Sequence, residues 1–507
     1  MRSRALIFFT LSMDEWSNLE QAIEHLAASG AVEVHEDGEW LAGLDGFRSE
    51  VRRKGKQALI HLWSSESNLV RTITRISACE PARIQLEVQR FGRTKPGRLE
   101  FLSTTARRPA ARIGREQFRE RFARMLAEQF PDARVESLTT AADLKHSFSA
   151  LYARGVMTEG RSSWAVMGAG PAESAAAFEG VLSFGLLWLD WTRQRAERRA
   201  IEGLRLFLPE GQCRVTLERA HALRPGVGLE VYEFSERDWR VRLKEASSHG
   251  NVESWLTPRK DVELTLAAAR NAIDHIRSLL PDEPEAVETS VPPATHEVSF
   301  RFRGLEFARW TDGRIYFGLG DDRRLLPRGD SKPLQSLLRK LSLKRSPVTS
   351  DTHDPLYRGA PERWLESVIR ADPTRLDARL DPRYFYSQVP ALAAGERGVI
   401  DLLGVTRQGR LVVIELKASE DLQLPLQAVD YWLRVRRHLV EGDFRSYGYF
   451  PGVEFQPDPP LVWLVAPGLR FHPANEVVAR YLTPDLQVSR IGLSENWRRG
   501  VRVVFRQ

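Results

Sequence analysis

Hydrophobic residues follow two different spacings along this chain, and each spacing predicts a different kind of element. Within residues 1–140, helical spacing at 16–29 and 115–130 is interleaved with short strand-like runs, which predicts a mixed α/β domain. Residues 141–280 predict a further α+β domain, which contains a long apolar helix at 175–191. Because charges and glycines interrupt that helix, it is expected to be buried in protein rather than to span a membrane.

A change of composition follows these two regions. Residues 281–296 are acidic, rich in proline and without periodicity, which is typical of a linker. Residues 297–347 predict a small β-meander and a basic connector, and residues 348–507 predict a further α/β domain. A chain of 507 residues is expected to hold more than one core, since single cores rarely exceed about 300 residues. No internal repeat is evident in the sequence.

The most informative pattern is a pair of apolar strands, residues 399–405 and 411–416, that carries charges where a core is expected. Asp401, Glu415 and Lys417 are these charges, and buried charges are rare unless they are paired or bind a metal. A turn centred near residue 408 places Asp401 roughly opposite Glu415 on one face. The pattern predicts a divalent cation such as Mg²⁺ between the carboxylates, with Lys417 positioning an attacking water.

Two predicted helices flank the hairpin and carry further candidates. The upstream helix has Glu362 and Glu366 four residues apart on one side. Glu362, at the helix start, is the first choice for a third carboxylate, whereas Glu366 is more typical of a solvated helix residue. The downstream amphipathic helix carries Gln427 and Tyr431 on one face, where a site role and structural hydrogen bonds are equally consistent with the pattern.

The order of these elements resembles the PD-(D/E)XK nuclease superfamily, in particular its RecB-like branch. The chain has a helix with glutamate, a strand with Gly-x-x-Asp at 398–401, a strand with Glu-x-Lys at 415–417, and a helix with Gln-x-x-x-Tyr at 427–431. Ile400 stands where a proline often precedes the aspartate. The resemblance implies a C-terminal restriction-endonuclease-like α/β/α core with a mixed central sheet. Length and hydrophobic pattern predict that this core belongs to a multidomain α/β chain with an N-terminal α+β region.

The resemblance also implies an activity and a set of site residues. The activity is Mg²⁺-dependent hydrolysis of phosphodiester bonds, with Mn²⁺ as a substitute. Asp401 and Glu415 would bind the metal with assistance from Glu362, and Lys417 would stabilise the attacking water or the transition state. The implied catalytic residues are Glu362, Asp401, Glu415, Lys417, Gln427 and Tyr431.

Two interpretations compete with a nuclease. Asp401 and Lys417 would form a structural ion pair across a sheet if Glu415 were solvated at a sheet edge, although apolar residues on both faces of these strands favour a central position. Alternatively, the chain would be a nucleic-acid-binding or adaptor protein that keeps the nuclease fold without catalysis. Asp401, Glu415 and Lys417 are all present, which weighs against this non-catalytic alternative.

Charge favours a nucleic-acid partner without identifying it. The net charge of +7 suits a polyanion, and DNA is favoured over RNA because the superfamily mostly acts on DNA. Four basic residues of the connector are candidates for contacts with the phosphate backbone: Arg339, Lys340, Lys344 and Arg345. A homodimer is compatible with cleavage of both strands of a duplex, and the N-terminal region is a candidate for binding a protein partner.

The remaining composition limits the class of protein. Two cysteines, Cys79 and Cys213, exclude a disulfide framework and a cysteine-based zinc site. The apolar run near Met1 is short and soon meets Asp14 and Glu15, so it is interpreted as a first strand rather than a signal peptide. A cytoplasmic protein without membrane association is therefore expected.

Overall fold

The fold is taken from a computed structural model. It describes residues 13–28, 32–36, 39–43, 48–54, 57–63, 68–80, 82–89, 97–143, 146–196, 199–245, 256–292, 295–320, 322–352, 354–390 and 399–507. The first strand predicted near Met1 lies outside these residues. Among the helices described, none is long and apolar enough to cross a membrane.

Runs of strands are separated by helices along the described part of the chain. The α-helices are α1 (Met13–Ala28), α2 (Thr104–Gln129), α3 (Ala175–Arg195), α4 (Arg214–Ala220), α5 (Arg259–Ala268), α6 (Arg270–Ser278), α7 (Lys332–Lys344), α8 (Pro355–Arg358), α9 (Pro361–Ala371), α10 (Leu424–Glu441), α11 (Asp443–Ser446) and α12 (Ala474–Arg480). The strands are β1 (Val32–Glu36), β2 (Glu39–Gly43), β3 (Arg48–Lys54), β4 (Gln57–Trp63), β5 (Asn68–Glu80), β6 (Arg83–Gln89), β7 (Gly97–Ser103), β8 (Ala133–Thr139), β9 (Tyr152–Glu159), β10 (Ser162–Ala169), β11 (Ile201–Pro209), β12 (Leu229–Phe234), β13 (Val241–Lys244), β14 (Val287–Ser290), β15 (Val298–Phe302), β16 (Leu305–Thr311), β17 (Arg314–Phe317), β18 (Arg324–Leu325), β19 (Leu380–Pro390), β20 (Val399–Thr406), β21 (Leu411–Leu416), β22 (Leu461–Pro467), β23 (Val488–Leu493) and β24 (Val503–Arg506).

The described residues form two compact units, each built from two separate stretches of chain. The first unit falls within Met1–Ala111 and Leu264–Trp364, and the second comprises Arg112–Glu263 and Leu365–Gln507. The changes of unit lie within α2, α5 and α9. They therefore differ from the boundaries predicted at residues 140, 280 and 347, because the chain changes units inside helices rather than in polar linkers.

The first unit contains two sheets. A seven-stranded antiparallel sheet has the order β2-β1-β7-β6-β5-β4-β3, and α1 packs on it through residues such as Leu19 and Ile23. The other sheet has five antiparallel strands in the order β14-β15-β16-β17-β18, and α7 packs on it through Leu334 and Leu338. The strands expected for the meander are present as β15, β16 and β17.

One prediction about this unit is wrong. Residues 281–296 were expected to be a linker, but β14 lies within them and pairs with β15. Val287 is buried in the same hydrophobic cluster as Phe300 and Phe302. A four-residue edge strand with a single buried side chain produces too little periodicity to stand out between prolines.

The second unit contains two mixed sheets, each of six strands. In the first, the order is β13-β12-β11-β10-β9-β8, and β10, β11 and β12 run parallel while the remaining neighbours are antiparallel. Helix α3 connects β10 to β11, and α4 connects β11 to β12. We call β8–β13 with α3 and α4 the first core. Helix α2 covers the other face of its sheet through Phe122 and Leu126.

The other mixed sheet has the order β19-β20-β21-β22-β23-β24, with β21, β22 and β23 parallel and the remaining neighbours antiparallel. Helix α10 lies between β21 and β22 in the chain, and α12 lies between β22 and β23. We call β19–β24 with α10 and α12 the second core. The mixed α/β character expected of the C-terminal region is confirmed at this level.

The two cores have the same strand order, the same strand directions and equivalent connecting helices. The likeness of the two cores is therefore one of topology, and it has no counterpart in a repeat that is evident in the sequence. The cores also share one hydrophobic cluster, to which the first contributes residues such as Leu182 and Leu206 and the second Trp432 and Leu464. Residues 141–280 and 348–507 were predicted as separate domains, but parts of both therefore pack into one interior.

Candidate active site

A tight turn fixes the register of the hairpin that carries the candidate site. In the turn between β20 and β21, Gly409 has a φ of +89° and donates its N–H to the Thr406 carbonyl at 2.8 Å. A side chain at position 409 would collide with the carbonyl of Glu454. Glycine is therefore required there by backbone conformation and by space. The turn leads into a ladder in which Leu402 pairs with Ile414.

This register brings the two hairpin carboxylates together. One residue beyond the Leu402–Ile414 pair, Asp401 lies opposite Glu415 on the face where Val413 packs with α10 residues. Asp401 Oδ2 accepts a hydrogen bond from the backbone N–H of Leu416 at 3.1 Å. That bond holds the Asp401 carboxylate against the neighbouring strand.

Glu415 is the most unusual side chain of the site. It is only 3% exposed, on a strand whose six residues are all buried between β20 and β22. Burial raises its pKa well above the ordinary range, the charge of Asp401 raises the pKa further, and Lys417 opposes both effects. No donor reaches its buried Oε2 atom, and a hydrogen bond between the Glu415 and Asp401 carboxyl groups adds to the rise in pKa. The interpretation that Glu415 is solvated at a sheet edge is therefore wrong.

Lys417 follows directly after β21 and remains close to Glu415. Its backbone N–H donates to the Val465 carbonyl at 3.0 Å, which extends the contact with β22 by one residue. Its Nζ lies 3.5 Å from Glu415 Oε1 and 3.6 Å from Asp421 Oδ2. The side chain is 16% exposed, so the ammonium group sits between the buried carboxylate and a more accessible one. Lys417 is thus positioned by the sheet and by two acidic partners.

Asp421 is a site residue that the sequence analysis missed. Its carboxylate pairs with Lys417 and also accepts the N–H of Gln423 at 2.7 Å. The Asn475 side chain, which is fully buried, donates to the Asp421 carbonyl at 2.9 Å and so anchors this loop. An acidic residue four positions after Lys417 was the available signal, but it has no meaning until the loop is seen to turn back toward β21.

Helix α10 presents two polar side chains on one face, as predicted. The pKa of Tyr431 is raised, chiefly by burial and then by the negative charges of Glu415 and Asp401. Its hydroxyl therefore stays protonated and lies within the field of both carboxylates. Gln427, one turn earlier, has a buried Oε1 without a hydrogen-bond partner. The helix thus adds a neutral donor and an unsatisfied amide to the polar groups of this region.

The upstream helix requires a correction. Glu366 was expected to be a solvated residue, but it is only 3% exposed. Trp364, Leu365 and Ile369 are fully buried, so the buried surface of α9 extends around the helix to include Glu366. Glu362 is half-buried and falls in the first unit, whereas Glu366 belongs to the second unit with Asp401. The expectation that Glu366 is solvated is therefore wrong.

Not all four basic residues of the connector are available to bind phosphate. Arg345 is fully buried, donates to the carbonyls of Gly359 and Arg303 at 2.7 Å each, and lies 4.5 Å from the centre of the Trp364 ring. The prediction that Arg345 contacts nucleic acid is wrong, because its guanidinium already satisfies backbone carbonyls inside the first unit.

The other three basic residues of the connector are more accessible to solvent than Arg345. Lys344 pairs with Asp351 at 3.3 Å and with Asp354 at 3.0 Å, and hydrogen bonds to these carboxylates raise its pKa. Arg339 and Lys340 are exposed on α7. A role in binding nucleic acid stays a prediction for these three, and Lys344 would have to release its aspartates to fulfil it.

A second group of potential ligands lies at the end of α10. Ligand atoms of His438, Glu441 and Asp443 fall within 4.8 Å of one another, and His438 Nδ1 is 2.6 Å from Asp443 Oδ2. The histidine is buried, and its partner follows Gly442, which ends the helix with a left-handed conformation. The His438–Asp443 contact is thus explained by structure, since it links the last turn of α10 to the residue that follows its C-terminal glycine.

Comparisons with known protein families and with curated proteins found no match. No model of a known protein family matches the chain, and no curated protein matches it. The resemblance found in the sequence thus stands on the residues themselves, and the functional argument has to come from the geometry around Glu415.

Proposed function

We propose that the chain is a metal-dependent nuclease that hydrolyses phosphodiester bonds. The observation that carries this proposal is the buried Glu415 carboxylate, which faces Asp401 and has one oxygen without a hydrogen-bond partner. An isolated ionised carboxylate is costly in a protein interior. Burial and Asp401 therefore favour the protonated form of Glu415, and a divalent cation between the two carboxyl groups would allow both to ionise.

The donor set fits a hard divalent cation. Asp401 and Glu415 offer carboxylate oxygens, which Mg²⁺ prefers and Mn²⁺ also accepts. Such an ion supplies Lewis acidity toward a phosphate oxygen and lowers the pKa of a water molecule. Burial favours Glu366 over Glu362 as a candidate for a third carboxylate, since Glu366 is only 3% exposed and Glu362 is half-buried.

The remaining side chains have roles that follow from their charge and position. Lys417, 3.5 Å from Glu415, would orient the attacking water and stabilise negative charge that develops on the phosphate. Tyr431 keeps its proton and would donate it in a hydrogen bond to a phosphate oxygen, and Gln427 would do the same through its amide. Asp421 holds Lys417 in place and is a positioning residue.

The second core also supports the finer fold assignment. A mixed sheet with an antiparallel hairpin entering parallel strands, and with α10 carrying Gln427 and Tyr431, fits the restriction-endonuclease-like arrangement that the sequence resembles. The net charge of +7 favours a polyanionic substrate, and we propose DNA before RNA. The chemistry at the carboxylates does not itself distinguish the two, because it does not involve the 2′-hydroxyl.

The proposal is tested by incubating the full chain with single-stranded, duplex and branched DNA and with RNA. Each substrate is given Mg²⁺, Mn²⁺ or EDTA, and wild type is compared with Glu415→Gln. The matched control is Glu420→Gln, which makes the same charge change at an exposed residue five positions away.

Cleavage that needs metal, survives in Glu420→Gln and disappears in Glu415→Gln supports the proposal and identifies the substrate. Binding of nucleic acid without cleavage on every substrate overturns it and favours the non-catalytic alternative. Cleavage of equal rate in Glu415→Gln also overturns it, because the activity would then come from another site or from a contaminant.

A further inference from the structure

We propose that the first core takes the place of a second subunit. The chain would then carry a single hydrolytic centre, act as a monomer, and cut one strand of a duplex in each encounter. This inference rests on the proposed nuclease function and goes beyond it, because it specifies the product. It differs from the homodimer that the sequence alone made compatible with duplex cleavage.

The first observation is the matching topology of the two cores. Strands β8 to β13 have the same order and directions as β19 to β24. Helix α3 occupies the connection that α10 occupies in the second core, and α4 corresponds to α12. A single chain therefore contains two copies of one arrangement, as a homodimer would contain two subunits.

The second observation is that the two copies meet through equivalent parts. Leu223 follows α4 and pairs in an antiparallel bridge with Leu482, which follows α12. The Arg224 N–H donates to the Tyr481 carbonyl at 2.9 Å, and the Thr483 N–H donates to the Ala222 carbonyl at 2.7 Å. An exchange of two hydrogen bonds between equivalent segments is what a two-fold axis produces at an isologous interface.

Ion pairs repeat this reciprocity. Asp430 on α10 accepts two hydrogen bonds from Arg219 on α4, at 2.9 and 2.7 Å. Asp190 on α3 accepts hydrogen bonds from Arg480 of α12, at 3.3 Å, and from the Tyr481 hydroxyl, at 3.1 Å. Each long helix thus offers an aspartate to an arginine on the short helix of the other core. These faces of α3, α4, α10 and α12 therefore already contact one another within one chain.

The third observation is that the first core lacks the chemistry of the second. On its hairpin, the residues that face α3 are Tyr152, Arg154 and Val156 on β9 and Ala165, Met167 and Ala169 on β10. None of these six side chains is a carboxylate. The face that holds Asp401 and Glu415 in the second core therefore holds apolar groups and one arginine in the first.

The Arg154 side chain makes contacts within the first core that explain its presence there. Its guanidinium donates to the carbonyls of Ala141 and Ser149 and lies 4.9 Å from the centre of the Phe148 ring. Only the second core then offers carboxylates on this face to a cation. Each hydrolytic event adds one water across one P–O bond, so a monomer with one centre breaks one strand of a duplex per event.

The test combines an activity assay with a measurement that does not depend on activity. Supercoiled plasmid is incubated with the full chain in Mn²⁺, and Glu415→Gln serves as the control for the proposed function. The expected result is nicked circle that accumulates before any linear product, at a rate proportional to the first power of protein concentration. Sedimentation equilibrium in Mn²⁺ is expected to give the mass of one chain, 57.7 kDa.

Linear product without a nicked intermediate, or a rate that rises with the square of concentration, overturns the inference and leaves the nuclease standing. A mass of two chains for wild type and for Glu415→Gln overturns it whether or not cleavage is seen. Absence of cleavage on every nucleic acid overturns the proposed function, and the inference falls with it. Monomer mass together with a nicked product supports both.

Discussion

The two cores of the second unit share a topology and differ in what they bury. In the second core, the hairpin face toward α10 carries Asp401 and Glu415, and Glu415 has an oxygen without a partner. In the first core, the equivalent face carries Met167 and other uncharged groups around Arg154. Strand order therefore sets where a site can be built, whereas the side chains on one face decide whether it is built.

The difference has an energetic meaning. The first core satisfies its one charge on this face with backbone carbonyls, so the face contributes to stability by ordinary packing. The second core keeps a carboxylate whose ionisation is disfavoured by burial and by Asp401. Carboxyl groups with strongly perturbed pKa values cluster at functional sites, which makes the second core the candidate for a functional role.

The largest expected effect comes from removing the positively charged side chain of Lys417 in the second core. Lys417→Met is expected to lower the single-turnover cleavage rate by about 1,000-fold, because it removes the group that we propose orients the water and stabilises charge. Binding of Mn²⁺ should be retained, since both carboxylates remain. The rate is measured with enzyme in excess over labelled substrate.

The matched control for this variant is Arg154→Met, which removes the cation on the equivalent face of the first core. Its rate per folded molecule is expected to equal that of wild type. A Lys417→Met enzyme within tenfold of wild type, or an equal loss in Arg154→Met, would remove the functional distinction between the cores.

The next effect concerns the two ion pairs that join the cores. Arg219 is 4% exposed and Arg480 is 56% exposed. Arg219→Met leaves Asp430 without its buried partner and should lower the free energy of unfolding by about 3 kcal/mol. Arg480→Met breaks an accessible pair and should cost less than about 1 kcal/mol. Urea unfolding in EDTA measures both, and equal losses would contradict this account of the interface.

The smallest effect is a dependence of stability on pH. The folded protein raises the pKa of Glu415, so between the unfolded value of about 4.3 and the folded value it holds a proton that the unfolded chain has released. In EDTA, this group's contribution to stability is full below that interval and is lost as the pH rises through the folded pKa. Glu415→Gln should flatten the slope.

Thermal unfolding midpoints from about pH 5 to about pH 8 measure this slope. Glu420→Gln should retain it, since Glu420 is exposed on the same segment. Parallel curves for wild type and Glu415→Gln would mean that Glu415 titrates in the folded protein much as it does in the unfolded chain.

The hairpin could be predicted from the sequence because its signals are local. Alternating positions and the turn that contains Gly409 set which residues face each other, so Asp401 and Glu415 were placed correctly. The burial of Glu366 was missed because helical periodicity reports the centre of an apolar stripe and not its margin. Arg345 was misread because a long basic side chain looks the same in sequence whether it faces phosphate or buried carbonyls.

The relation between the two cores could not be predicted from the sequence. Their likeness is one of strand order and direction, which many sequences satisfy, and the two hairpin faces have different chemistry. The contact between Leu223 and Leu482 joins positions more than 250 residues apart, for which no local pattern exists. Asp421 was missed for a similar reason, since its role depends on how a loop folds back.

The most direct test of the central claim is calorimetric titration of the full chain with Mn²⁺, without any substrate. Wild type and Glu420→Gln are expected to bind the ion, and Asp401→Asn and Glu415→Gln are expected to lose that binding. This pattern would establish the carboxylate pair as a metal centre before any activity is known. Binding that persists unchanged in both variants, or no binding by wild type, would contradict the account.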